Sequence, residues 1–241
     1  MAEDITPQLL DKIQRQFNND YGSNKAIKDL LDKINNGKAN YQDLNQYAIK
    51  TGEILAKSFQ DNLSSDVLPD GRMYYNIANR ILHETLGRNY DLVATAAEKV
   101  QTELNKQSGT GLKAIKPVLD EDRIDGFVER LDSEPNFDDV KWILDEPVVN
   151  FTQKAVDDAT KQNCDFQYRA GLKPKVERIA EHGCCKWCDG IAGAYTYPDV
   201  PSEVFQRHDS CRCVVIYDGS RLKPHMGTSK RSNRTYNTFR I

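Results

Sequence analysis

Five of the six cysteines fall between residues 184 and 213, as Cys184, Cys185, Cys188, Cys211 and Cys213, with His208 just ahead of the last two. A CxxC pair in GCCKWCDGIAG is thus answered by HxxCxC in RHDSCRCVVIY. Soft donors at that density, in two knuckle-like groups, have the pattern of a structural zinc site. Cys185 and Cys188 can share one side of a tight turn, with Asp189-Gly190 beside it to take an unusual dihedral. Cys211 and Cys213 alternate into Val214-Val215-Ile216-Tyr217, which reads as a strand and puts both thiols on one face. Six candidates compete for about four positions. The expected set is Cys185, Cys188, His208 and Cys211, with Cys213 the first substitute and Cys184 the next. Asp209 is placed to take the second ring N–H of His208. Two other readings stay open: disulfides between the CxxC and CRC halves, and plain burial of small apolar thiols. Cys164 lies apart and is expected in the core or on a helix surface.

The elements that must position these residues read as mainly helical. Thr6 with Pro7 behind it is an expected helix start, followed by Leu9, Leu10, Ile13 and Phe17 at helical spacing. A second helix carries Ile27, Leu30, Leu31 and Ile34, and a third Leu44, Tyr47, Ala48, Ile54, Leu55 and Phe59. Pro69-Asp70-Gly71 marks a turn, after which Tyr74 to Leu86 and Leu92 to Leu104 continue the pattern. Ser108-Gly109-Thr110-Gly111 is a bend, since it lacks the lysine and the strand of a phosphate loop. Short helices broken by Pro135 and Pro147 are expected over 124–151, then a helix from Val148 to about Asn163. Alternation in Lys175 to Ala180 predicts a strand that delivers the first cysteines, with the CRCVVIY strand as its partner. The expected fold is α+β, mainly α, with a helical body over 1–164, a zinc-knuckle segment over 165–219 and a basic tail over 220–241.

Composition bounds the function. The 241 residues carry 39% hydrophobic side chains and a net charge of −3, enough for one good core. No apolar run approaches the ~20 residues of a membrane span, and MAEDITPQLL is acidic and polar where a secretory signal is basic and then apolar. Folding in a cytoplasm, with thiols reduced, is therefore expected. After Asp218 come Arg221, Lys223, Lys230, Arg231, Arg234 and Arg240 with no acidic side chain, so the rest of the chain is markedly acidic. Those six cations, interleaved with Tyr236 and Phe239, are candidate contacts to double-stranded DNA, or else simply keep the segment solvated.

GCCKWCDGIAGAYTY followed by VFQRHDSCRCVVIYDG resembles the minor head proteins of tailed phages of Gram-positive bacteria, in the phage Mu F-like head-morphogenesis family. There, a CxxC, a Gly-containing turn and a final HxxCRC recur. The likeness covers roughly Val148 to Gly219, including the lead-in NFTQKAVDDATKQNCDFQYRAGLKPKVERIAEHG; where the family often has His-Pro before the CRC, this chain has Asp209 after His208. The resemblance implies a non-enzymatic, low-copy component of the phage head, built into the procapsid in the host cytoplasm and retained in the virion. It implies association with the portal protein and with major capsid or scaffold protein, and DNA contact during packaging or ejection.

The competing reading is a treble-clef-like zinc nuclease or DNA-binding protein, in which His182 or His208 activates water. His182 has Glu181 beside it, but no histidine or asparagine stands at a recognisable companion spacing, so a ligand or loop role fits each histidine better. Elsewhere the plain readings are preferred: Trp142 as core, Trp187 as a cover for the metal site, and His83 as partly exposed or satisfied in the core. The acidic runs at Asp120-Glu121-Asp122 and Asp138-Asp139 are read as helix caps or solvated faces.

Overall fold

In the computed structural model, which describes residues 4–208 and 210–218, six helices precede a small sheet. They are α1 (Thr6–Ser23), α2 (Lys25–Asn35), α3 (Tyr41–Asn62), α4 (Tyr75–Gln107), α5 (Asp122–Asp132) and α6 (Glu146–Arg169). After them come β1 (Lys175–Ile179), the five-residue helix α7 (Lys186–Gly190), β2 (Gly193–Thr196) and β3 (Val214–Asp218). The class is α+β, mainly α. No helix among the described residues is long and apolar enough to cross a membrane.

Local chemistry sets the helix ends. Asn40 accepts from the Gln42 and Asp43 N–H groups while Asp43 accepts from the Asn40 N–H, a reciprocal cap that starts α3. Thr6 is already the first helical residue and not the cap; its N–H is taken by the Asp4 carboxylate at 3.0 Å. Gly109 and Gly111 take positive φ at the bend after α4. The stretches 74–86 and 92–104 belong to one 33-residue helix.

The most extensive helix packing is between α3 and α6, which cross so closely that a Cβ on Gly52 would lie 2.8 Å from the Val149 Cα. A side chain at 52 would force the helices apart. Around this crossing sit Leu44, Ala48, Leu55, Val148, Phe151 and Val156, all buried.

The sheet is antiparallel in the order β2-β1-β3, with Val176 opposite Tyr217 and Arg178 opposite Val215. The expected pairing of the strand at 175–180 with CRCVVIY is present. β2, a strand that the sequence pattern does not mark, is four residues long, pairs with β1 at the sheet edge and is exposed except at the half-buried Tyr195, so it carries no apolar alternation.

The expected join at 164/165 falls inside α6, which runs six residues past Asn163 to Arg169. Val176, Val215 and Tyr217 share one continuous core with the helices, so the sheet leans on the body, and only the buried cysteines Cys188, Cys211 and Cys213 form a small cluster apart from it. Buried polar side chains bond across that contact: Tyr217 Oη donates to Gln167 at 2.8 Å, Gln167 to Asn105 at 2.9 Å and Asn45 to the Val215 carbonyl at 3.2 Å. Cys164 is fully buried, as one of its two expectations had it, whereas Trp142, expected in the core, is 51% exposed.

Candidate metal centre

Two chain segments bring the sulfurs together. The turn after β1 leads into α7, where Cys185 caps the helix by accepting from the Cys188 N–H at 3.5 Å, so both CxxC sulfurs face the same way. The loop ahead of β3 supplies His208, Cys211 and Cys213. Both cysteines of the CRC precede the strand itself, and both are buried while Arg212 between them is half-buried.

His208 Nε2 lies 3.3 Å from Cys185 Sγ and 3.0 Å from Cys188 Sγ, and the Cys188 and Cys211 sulfurs are 3.7 Å apart. Two overlapping triads result, Cys185–Cys188–His208 and Cys188–Cys211–Cys213, each with its donor atoms within 4.8 Å of one another. Cys188 is common to both and fully buried. Cys184 is in neither triad; it is half-buried and packs against the group. All six cysteines are free thiols, so the disulfide reading has no pair here. Asp209, and the basic residues Arg221, Lys223, Lys230, Arg231, Arg234 and Arg240, lie outside the described residues.

The donor set fits a tetrahedral soft-metal site. Ligands about 2.3 Å from one ion sit roughly 3.8 Å apart, close to the 3.7 Å between Cys188 and Cys211. A metal held there would draw its ligands from the two triads, that is from Cys185, Cys188, His208, Cys211 and Cys213. Trp187 packs edge-on over His208 with ring centroids 5.7 Å apart, covering this side as expected.

The thiols are not equivalent. Burial pushes Cys188 up to about 12, against the pull of the Arg178 guanidinium. Cys185 is held below the usual thiol range by the Cys188 backbone N–H. Cys213, although burial opposes it, is lowered by a backbone hydrogen bond from Glu181 and by contacts with the Cys188 and Cys211 thiols. Burial and then the neighbouring Cys213 raise Cys184.

What sequence reading missed is the support. Along α6, Asn150, Gln153, Asp157, Thr160, Asn163 and Gln167 form a buried polar stripe at helical spacing. Asn150 donates to the His208 carbonyl at 3.0 Å and Gln153 to the Cys213 carbonyl at 3.4 Å. Asp157 accepts from Arg207 at 2.6 and 2.8 Å, and Arg207 also donates to the Cys213 carbonyl at 2.8 Å. Burial alone would lower Arg207, but the Asp157 charge beside it raises it and keeps it protonated. The same face therefore grips both ends of the His208–Cys213 loop. The signal was present as a polar row at i, i+3 and i+7, at Asn150, Gln153 and Asp157, on one face of the helix. Arg178, on an inward position of β1 and 1% exposed, is the other missed residue.

Comparison with protein-family models, with curated proteins and with solved structures gives no match for this chain.

Proposed function

We propose that this chain is a structural protein of a tailed-phage head, of the minor head type, in which a zinc ion staples the loops of the C-terminal sheet. The observation that carries the metal part is the pair of overlapping donor groups, Cys185–Cys188–His208 and Cys188–Cys211–Cys213, which share the Cys188 sulfur. Five soft donors for about four positions leave no open position for water, which favours a structural over a catalytic ion. The biological setting rests on the resemblance of residues 148–219 to head-morphogenesis proteins. Residues 185–213, held to α6, would then form a stiff element for docking on portal, capsid or scaffold protein. The basic segment 220–241 would be the contact to double-stranded DNA.

Elemental analysis of purified protein, with fractionation of assembled particles, tests this reading. About one zinc per chain and recovery in the procapsid and virion are expected. A protein with neither zinc nor particle association would reject it.

A second reading has one observation behind it: Glu181 and His182 line the same cavity, about 200 Å³, as the cysteine group. A nuclease would use His182 there as a base. Plasmid cleavage in magnesium or manganese that disappears in His182→Ala would favour that enzyme over the structural protein.

A further inference from the structure

Arg178 is the largest fully buried side chain of the described protein, 1% exposed, on the central strand of the sheet. Burial along β1 alternates, with Lys175 and Glu177 outward and Val176 and Arg178 inward. An apolar residue is the ordinary occupant of such a position, and Val176 is one. Nη1 donates to the Val204 carbonyl at 2.6 Å and to the Gln206 carbonyl at 2.9 Å. Nη2 reaches the Cys188 sulfur at 3.6 Å and the Cys211 sulfur at 3.5 Å, and Nε has no hydrogen-bond partner. The Trp187 ring lies 5.5 Å from the guanidinium carbon.

Arg207, the neighbouring buried arginine, has a carboxylate in Asp157; among the described residues Arg178 has no carboxylate ion pair. A buried guanidinium needs an anion, and carbonyl oxygens supply only partial charge. Among the described residues, the sulfurs of Cys188 and Cys211, which Nη2 reaches, can carry a full negative charge. The two carbonyl bonds fix the guanidinium plane, so that its second nitrogen is aimed between those sulfurs.

Building on the zinc reading above, we infer that Arg178 is the built-in counter-charge of the metal–thiolate centre and selects three thiolates and one imidazole as its ligands. A divalent ion with three thiolates carries one net negative charge, which a single guanidinium cancels. A fourth thiolate in place of His208 would leave one negative charge uncompensated beside the buried Cys188 and Cys211 sulfurs. Arg178 acts through the sulfurs: its N–H groups orient two ligands, and its charge offsets theirs. Its hold on the Val204 and Gln206 carbonyls also sets the start of the segment that delivers His208.

The test compares Co²⁺ affinity, read from the thiolate-to-metal absorption in competition with a chelator, for the unaltered protein, Arg178→Lys and Arg178→Met, with far-UV circular dichroism as a check on folding. A counter-charge role predicts a loss of about 10–100-fold in Arg178→Met and a smaller loss in Arg178→Lys. If Met, the better match to an apolar site, binds as well as or better than Lys, the counter-charge role is overturned while the metal site stands. X-ray absorption of the zinc-loaded unaltered protein needs no variant to fold: three sulfurs and one nitrogen are expected, and four sulfurs overturn the inference alone. Unaltered protein that takes up neither Co²⁺ nor zinc overturns the zinc reading and this inference with it.

Discussion

Arg207 and Asp157 form a bidentate ion pair, at 2.6 and 2.8 Å, in which the two side chains are only 3% and 0% exposed. It ties the residue before His208 to the middle of α6, so the loop and the helix are one mechanical unit. Asp157→Ala leaves the Arg207 charge buried and alone, which should cost about 3–5 kcal/mol. Urea unfolding followed by circular dichroism checks the size. Asp157→Leu combined with Arg207→Met should cost much less than either single change, because no unpaired charge remains; a double variant as unstable as the singles would contradict the electrostatic account.

Glycines at two helix positions should respond in opposite directions to alanine. At Gly52 the new methyl meets the Val149 backbone, which cannot rotate away. Overpacking of about 1–3 kcal/mol should then outweigh the gain in helix propensity of about 1 kcal/mol. Nothing lies within 4 Å of a Cβ at Gly126 in α5. There the propensity gain stands alone, and the melting temperature should rise.

Alkylation should rank the cysteines. Cys164 is fully buried and its thiol is pushed up by burial, so it should stay unmodified in the native protein. Cys185, exposed and held below the usual range, should react first. Added zinc should protect Cys185 and leave Cys164 unchanged. Peptide mass spectrometry reads the order, and rapid labelling of Cys164 would show that α6 is not packed as described.

Stripping metal with a chelator should separate the sheet loops from the helical body. The core is drawn mostly from the helices, so the helical dichroism should persist. Limited proteolysis should then cut between residues 180 and 213, where the unaltered, zinc-loaded protein resists. Loss of the whole helical signal would mean that the ion supports the body as well.

Alkaline pH should destabilise the fold from about pH 10 upward. Burial raises Tyr217 to about 12 and Tyr41 well above the usual value. The unfolded chain releases these protons near pH 10 while the folded one keeps them. The stabilisation is complete below that pH and declines as pH rises through the folded values. Ultraviolet absorbance should show late-titrating tyrosines together with a falling urea midpoint; tyrosines that all ionise near 10 in the intact fold would refute the burial.

The helical body was legible because its apolar residues recur with the helical period, as with Leu9, Ile13 and Phe17 on α1, all buried. Lys175 to Ile179 was legible by its alternation. The helix expected to end near Asn163 runs on to Arg169, because Asn163 is buried and bonds both backbone groups of Ile115. Trp142 looked like core by its size, yet it sits at a 3-10 turn whose inward positions go to Ile143 and Leu144.

By itself, the order of residues determined the ligand chemistry: which thiols and which imidazole were candidates, and that two short-range motifs would carry them. Spacing governs neighbours within a turn or a strand, and Cys185 with Cys188 needed nothing more. Only the tertiary structure decided that Cys188 stands between two triads, that Arg178 takes an inward place beside the sulfurs, and that Asp157 waits 50 residues before its partner. The reason is electrostatic. A buried charge is intelligible only together with its counter-charge, and partners brought together by folding leave no fixed interval along the chain.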